Sequence, residues 1–288
     1  MLAAFFAHLR YRQRRLTNHQ YLGLHKDDGW REFIADNESL ARIKHLQLSL
    51  QSPQICEQAG NVLSRMHNLT SLDLDDRLPI CIDTNLAILK LLSCAFSVDR
   101  ERPRLKRLIL KGLQPLHHDY DKASPPLPGL QGLEDLQLIF CTDYVSFLQM
   151  LKSLSLDLKS FSVFECTEIG NGEFDYDANE FVRSMSSLQR LSLVLDPIFE
   201  GFEGTLLDWS TLHAHASGLK CLKVHYNDAK PLLPSDQDAL DFRHFCTKAS
   251  NLQQLSVSGV DIQPKASTAG DRLNSLAYFL VYLCLRLL

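Results

Sequence analysis

Glycine and proline are scarce in this chain, 13 and 11 residues in 288, which excludes collagen-like and low-complexity architectures. An excess of one charge is lacking as well: 30 Lys and Arg against 34 Asp and Glu leave a net charge of −4. Nothing in that balance draws the chain to nucleic acid. No C-x-x-C pair occurs among Cys56, Cys81, Cys94, Cys141, Cys166, Cys221, Cys246 and Cys284. Cysteines so scattered suit reduced thiols packed as small hydrophobes in a cytoplasmic or nuclear protein. The apolar stretch at residues 2–7 has no preceding positive charge and no cleavage pattern, so it does not read as a secretion signal. Arg10, Arg12, Arg14, Arg15 and Lys26 lie in an acid-free opening stretch, which suits a basic surface helix and also somewhat resembles a transit sequence. Residues 273–288 are densely apolar but carry Arg286 and fall short of the about 20 residues a spanning helix needs, so no membrane is expected. G-x-S-x-G, the P-loop and G-x-G-x-x-G are all missing, and the chain is expected to be no enzyme.

What the chain has is leucine, 54 residues or close to one in five, and a pattern. The frame L-x-x-L-x-L, with an occasional apolar substitute, starts at Ile43, Leu69, Leu105, Leu133, Leu158, Leu188, Leu219 and Leu252, with a ninth at Leu280. The spacings between starts are 26, 36, 28, 25, 30, 31, 33 and 28 residues. A near-regular period of this length marks a stacked repeat.

The last two apolar residues of each frame are two apart, so they point to one face of a short strand. A single such strand cannot bury its leucine face, whereas parallel stacking joins all of them into one core. The intervals hold about 20 residues, enough for a helical crossover. Ser235-x-x-Asp238 reads as a capping box ahead of Ala239, Phe242, Phe245 and Cys246, and Asp177-x-x-Glu180 precedes Phe181, Val182 and Met185. Ile55, Ala59, Val62 and Met66 form another apolar stripe, while Pro115, Pro125, Pro126 and Pro128 predict a surface loop. The expected domains are an N-terminal helical segment at 1–39 and about nine irregular repeats at 40–288.

This arrangement resembles the leucine-rich-repeat proteins, and the resemblance implies an α/β horseshoe, a solenoid with parallel strands on its concave face and helices on its convex face. In that family an Asn or Cys three residues past the frame satisfies backbone groups in the turn. Cys141, Cys166 and Asn227 match, whereas Arg77, Leu113, Asp196 and Val260 depart from it, which favours the loosely patterned long-repeat members. The run Trp30-Arg-Glu-Phe-Ile-Ala-Asp-Asn-Glu-Ser-Leu-Ala-Arg-Ile-Lys-His-Leu-Gln-Leu resembles the junction that follows the F-box in fungal F-box proteins with leucine-rich repeats. The resemblance implies the substrate-recognition part of an SCF-like ubiquitin ligase. No proline precedes Pro53, so the Leu-Pro-led F-box itself is not found, and adaptor docking is expected only of an F-box upstream. The runner-up reading is a stand-alone repeat scaffold or regulator.

Two clusters look like ligand sets, His117-His118-Asp119-x-Asp121 and His213-x-His215. Neither supplies a clear fourth partner, and they read as a polar loop and a helix surface; no metal and no cofactor are expected. Glu165 and Glu168 flank Cys166, and carboxylates raise a thiol pKa, so the turn role explains this cysteine better than nucleophilic catalysis does. The residues alternating with the strand leucines are the candidate partner-binding set: Asp73, Asp75, Arg107, Lys111, Asp135, Gln137, Phe164, Arg190, Lys223 and His225. Nine strands at about 4.8 Å give a face of roughly 38 Å and about 27 residues, the size of one side of a standard protein interface. Its charge runs from acidic to basic to mixed, which suits a protein surface better than a polyanion. Residues 280–285 are expected to form the ninth strand.

Overall fold

In the computed structural model the residues described are 23–24, 40–50, 59–76, 91–92, 95, 105–112, 128–141, 144–154, 156–166, 174–195, 207–226 and 236–257. Each frame from Ile43 to Leu252 becomes a strand, because its apolar residues at period 2 fit a pleated surface with one buried side. The strands are β2 (His45–Leu50), β3 (Ser71–Asp76), β4 (Arg107–Lys111), β5 (Asp135–Ile139), β6 (Ser160–Cys166), β7 (Arg190–Leu195), β8 (Cys221–Tyr226) and β9 (Gln254–Val257). A two-residue strand, β1 (Gly23–Leu24), is added at the first edge beside Gln47 and Leu48. The repeat frame does not foretell β1, which falls in the stretch read as helical. The expected strand at 280–285 and most of the 115–128 loop lie outside the described residues.

All pairings are parallel and the strand order is the chain order, so the sheet is single and open. Parallel strands that always advance the same way are as a rule joined by crossovers of one hand, which lie on one face of the sheet. Packing agrees with that. Helices α1 (Tyr144–Lys152), α2 (Phe174–Ser184) and α3 (Asp236–Lys248), with the 3-10 turns η1 (Pro128–Leu130) and η2 (Trp209–Ala214), occupy the connections. Tyr144, Phe147, Leu148 and Leu151 of α1, Phe181 and Val182 of α2, Trp209 of η2 and Phe245 of α3 share one buried cluster with the strand leucines. The Phe161 ring of β6 meets Phe181 of α2 at 5.3 Å, and Trp209 meets Phe242 of α3 at 4.6 Å. Ala59, Val62 and Met66 of the predicted stripe are buried too. Helix α2 starts at Phe174, ahead of Asp177, so Asp177 is an interior residue and not the cap its spacing suggests.

A second repeating feature holds the strand entrances in register. In every pair from β2 to β9, the carbonyl of the residue after the first frame position accepts two consecutive N–H groups of the next repeat. Lys44 O takes Thr70 and Ser71; Thr70 O takes Lys106 and Arg107; Lys106 O takes Glu134 and Asp135. Glu134 O, Lys159 O, Gln189 O and Lys220 O continue the series as far as Gln254, all at 2.8–3.1 Å. Side chains reinforce it: Asn68 Nδ2 donates to Ala41 O and Asn251 Nδ2 to Ser217 O, each at 2.6 Å from the position before the frame.

Candidate functional site

Alternation decides which side chains the sheet displays. Along β4 the pattern is exposed, buried, intermediate, buried, intermediate, and along β5 the same positions of the pleat are buried. The register then lines the outward residues into three rows across the strands. The first runs His45, Ser71, Arg107, Asp135, Ser160, Arg190, Cys221, Gln254. The middle row is Gln47, Asp73, Ile109, Gln137, Ser162, Ser192, Lys223, Ser256, and the last is Asp75, Lys111, Ile139, Phe164, Val194, His225. All ten candidate binding residues therefore stand on one continuous face. Ser160 is the exception among the alternating residues, at 8% exposure.

The charges on this face divide into two groups. Near the start of the sheet they satisfy one another: Lys111 Nζ donates to Asp73 Oδ2 at 2.7 Å, and Arg107 Nε pairs with Asp135 Oδ2 at 3.2 Å. Both pairs cross between neighbouring strands, where opposite charges help the sheet. Asp73 Oδ1 is buried and has no hydrogen-bond partner among the described residues. Toward the other end, Arg190 and Lys223 carry no ion pair among the described residues. His225 Nε2 lies 2.9 Å from Ser256 Oγ, and the Cys221 thiol donates to Gln254 Oε1.

Between these groups lies an apolar patch. Phe164 is 37% exposed and Phe140 55%, and their rings meet edge to face at 5.5 Å. Ile139 and Val194 flank Phe164 in its row. Phe140 was not among the residues alternation singles out, because it stands one position past the strand. Gly112 and Glu165 occupy comparable strand-end positions, and all three have positive φ, at 69°, 52° and 47° for Gly112, Phe140 and Glu165. Only glycine adopts that region without steric cost, so two side chains hold a conformation unfavourable to them. At Glu165 the β6 register shifts, the extra residue being a bulge.

The turn cysteines sit directly behind this patch. Cys141 N–H donates to Cys166 Sγ at 3.3 Å, and Cys141 Sγ donates to Leu110 O at 3.4 Å. Backbone groups at the turn are thus satisfied from the position the family resemblance implies. Burial, with Cys141 beside it, holds the Cys166 thiol well above its ordinary range, which keeps it protonated and unreactive. Burial pushes Cys246 up to about 12.

The second histidine pair is placed differently from expectation. His215 is 4% exposed, with Nε2 donating to Val182 O at 2.9 Å, so it is a core residue and not part of a helix surface. The reason is that η2 turns this side chain under α2. His213 is half-buried, its Nε2 2.9 Å from Asp241 O and its ring 5.2 Å from that of His244. No group of three His, Cys, Asp or Glu residues able to hold a metal occurs among the described residues; the cluster at His117 lies outside them. Among the described residues no helix is long and apolar enough to cross a membrane. No family model and no curated protein matches the chain.

Proposed function

We propose that this chain is a leucine-rich-repeat horseshoe whose sheet face binds another protein, and that it works by binding without catalysing a reaction. The observation that carries the reading is the register itself. It lines alternating side chains into rows, two of them crossing all eight strands from β2 to β9 and a third crossing β3 to β8, that mix charged, hydroxyl, aromatic and aliphatic groups. Depth is what a catalytic pocket needs, and breadth is what a protein interface needs. The specific form of the proposal is substrate recognition for an SCF-like ubiquitin ligase in the cytoplasm or nucleus. Its support is the resemblance of residues 30–48 to the junction that follows an F-box. The runner-up is a scaffold or regulator with no ubiquitin connection.

The test exploits the two ion pairs. Exchanging partners, as Asp73→Lys with Lys111→Asp and Arg107→Asp with Asp135→Arg, keeps each pair while inverting the charge pattern that a partner meets. The exchanged protein should melt within a few degrees of the parent yet lose its captured partner, whereas Leu240→Ser on the helix side should leave capture intact. Capture that survives the exchange and fails with Leu240→Ser would refute the sheet-face site. If the captured protein's half-life in cells is unchanged on deleting this chain, the scaffold reading replaces the ligase reading.

A further inference from the structure

We propose that the part of the sheet face from β5 to β8 is a receptor for an extended acidic protein segment, with an apolar anchor residue seated against Phe140 and Phe164 and carboxylates reaching Arg190 and Lys223. The proposal rests on the protein-binding reading above and assigns its partner a chemistry.

Charge complementarity selects the occupant. Counting single charges gives the face a mixed character, but Asp73 with Lys111 and Arg107 with Asp135 neutralise each other. Among the described residues in the rows from β6 to β9, the cations without an ion pair are Arg190 and Lys223, amid the hydroxyls of Ser162, Ser192 and Ser256. Among the described residues of β6 to β9 the carboxylate is Glu165, which stands next to Phe164 near the end of β6. The aromatic pair supplies the anchor. Phe140 exposes more than half its surface while holding a left-handed backbone at the position where the preceding strand has Gly112. The left-handed turn recurs at three successive strand ends and so belongs to the repeat; what is particular to Phe140 is a large apolar ring left exposed there, and exposed apolar patches mark interaction sites.

The geometry sets a spacing. Lys223 lies two strands and two residues from Phe164, and Arg190 one strand and four residues, which at about 4.8 Å per strand and 3.3 Å per residue is roughly 12–14 Å. An extended segment covers that in about four residues. A nucleic-acid strand is the less favoured occupant, since it needs a groove of cations along its backbone, and two cations, Arg190 and Lys223, do not make one.

The full chain is to be applied to arrays of synthetic peptides with one Leu or Phe and with Glu, Lys or Ser placed about four residues away, and separately to a labelled single-stranded RNA. The expected result is preferential retention of the Glu peptides. Arg190→Glu with Lys223→Glu should weaken them about tenfold and turn the preference toward Lys peptides. Phe140→Gly, which suits the local backbone, should lower retention of every anchored peptide while the fold, followed by circular dichroism, stays intact. Absence of a Glu preference, a preference the double reversal leaves unchanged, or binding of the RNA alone would each overturn the proposal. If any of these occurs while the paired-charge exchange still abolishes partner capture, this inference fails and the protein-binding reading stands.

Discussion

His215 shows what a single buried ring can impose on the molecule. Burial holds its pKa below the ordinary 6.5, and the hydrogen bond to the Val182 carbonyl only partly opposes this. In the unfolded chain the ring takes up a proton near its ordinary value, while the folded chain resists it. Over the window from there down to the depressed value, the unfolded state binds more protons, and stability present above the window is lost as pH falls. The urea midpoint should therefore drop between about pH 7.5 and about pH 5.5. His215→Gln keeps an N–H donor for Val182 O without the titrating ring and should show a smaller drop; an equal drop would place the effect elsewhere. Asn68 and Asn251 make a simpler case. Each hydrogen-bonds a carbonyl of the preceding repeat, so Asn251→Ala should cost about 1 kcal/mol, read from denaturant unfolding.

At the level of strands and helices, energy follows burial along the sheet. Leu136 on β5 is fully buried, whereas Leu255 on β9 is only partly so. Leu136→Ala should cost about 2–5 kcal/mol, cavity included, and Leu255→Ala clearly less; equal losses would mean that the core does not thin toward β9. The strands were legible from residue pattern alone because a period of two leaves no choice of face. The frames at Ile43 through Leu252 all became strands, with their apolar residues buried from Ile43 to Val224 and only partly buried at Leu252, Leu255 and Val257. Helix ends were less legible. Asp177 has the spacing of a cap, yet Phe174 begins α2, since packing of Phe181 and Val182 on the sheet sets the helix position more strongly than one capping residue. The candidate face was legible as a set, because alternation names its members. Its ion pairs were not, since Lys111 reaches Asp73 only through a register that spans 38 residues of sequence. Phe140 stands past the end of the alternation, where no periodicity marks it.

For the molecule as a whole, the entrance ladder matters more than the lengths of the connections. Repeat spacings range from 25 to 36 residues, yet the same carbonyl accepts the same two N–H groups at each of the seven interfaces from β2 to β9. The stretch between the end of one strand and the next ladder position varies in length without disturbing the pairing. This makes the chain editable in whole units. Removing residues 133–157 should leave a cooperatively folding protein with one strand fewer, because Lys159 then inherits the place of Glu134 on the Lys106 carbonyl. A cut of a few residues inside a strand should not be tolerated, since it would turn leucines outward. The join also brings a cost that can be corrected. Glu134 now bridges Lys106 and Lys159, at 3.2 and 2.8 Å, and its loss sets two ammonium groups side by side. Adding Lys159→Glu to the shortened chain should raise its melting temperature above that of the deletion alone. Lineages that gain or lose repeats at this ladder would face the same arithmetic: a whole unit can be spliced in or out, provided that its entrance does not set two like charges side by side.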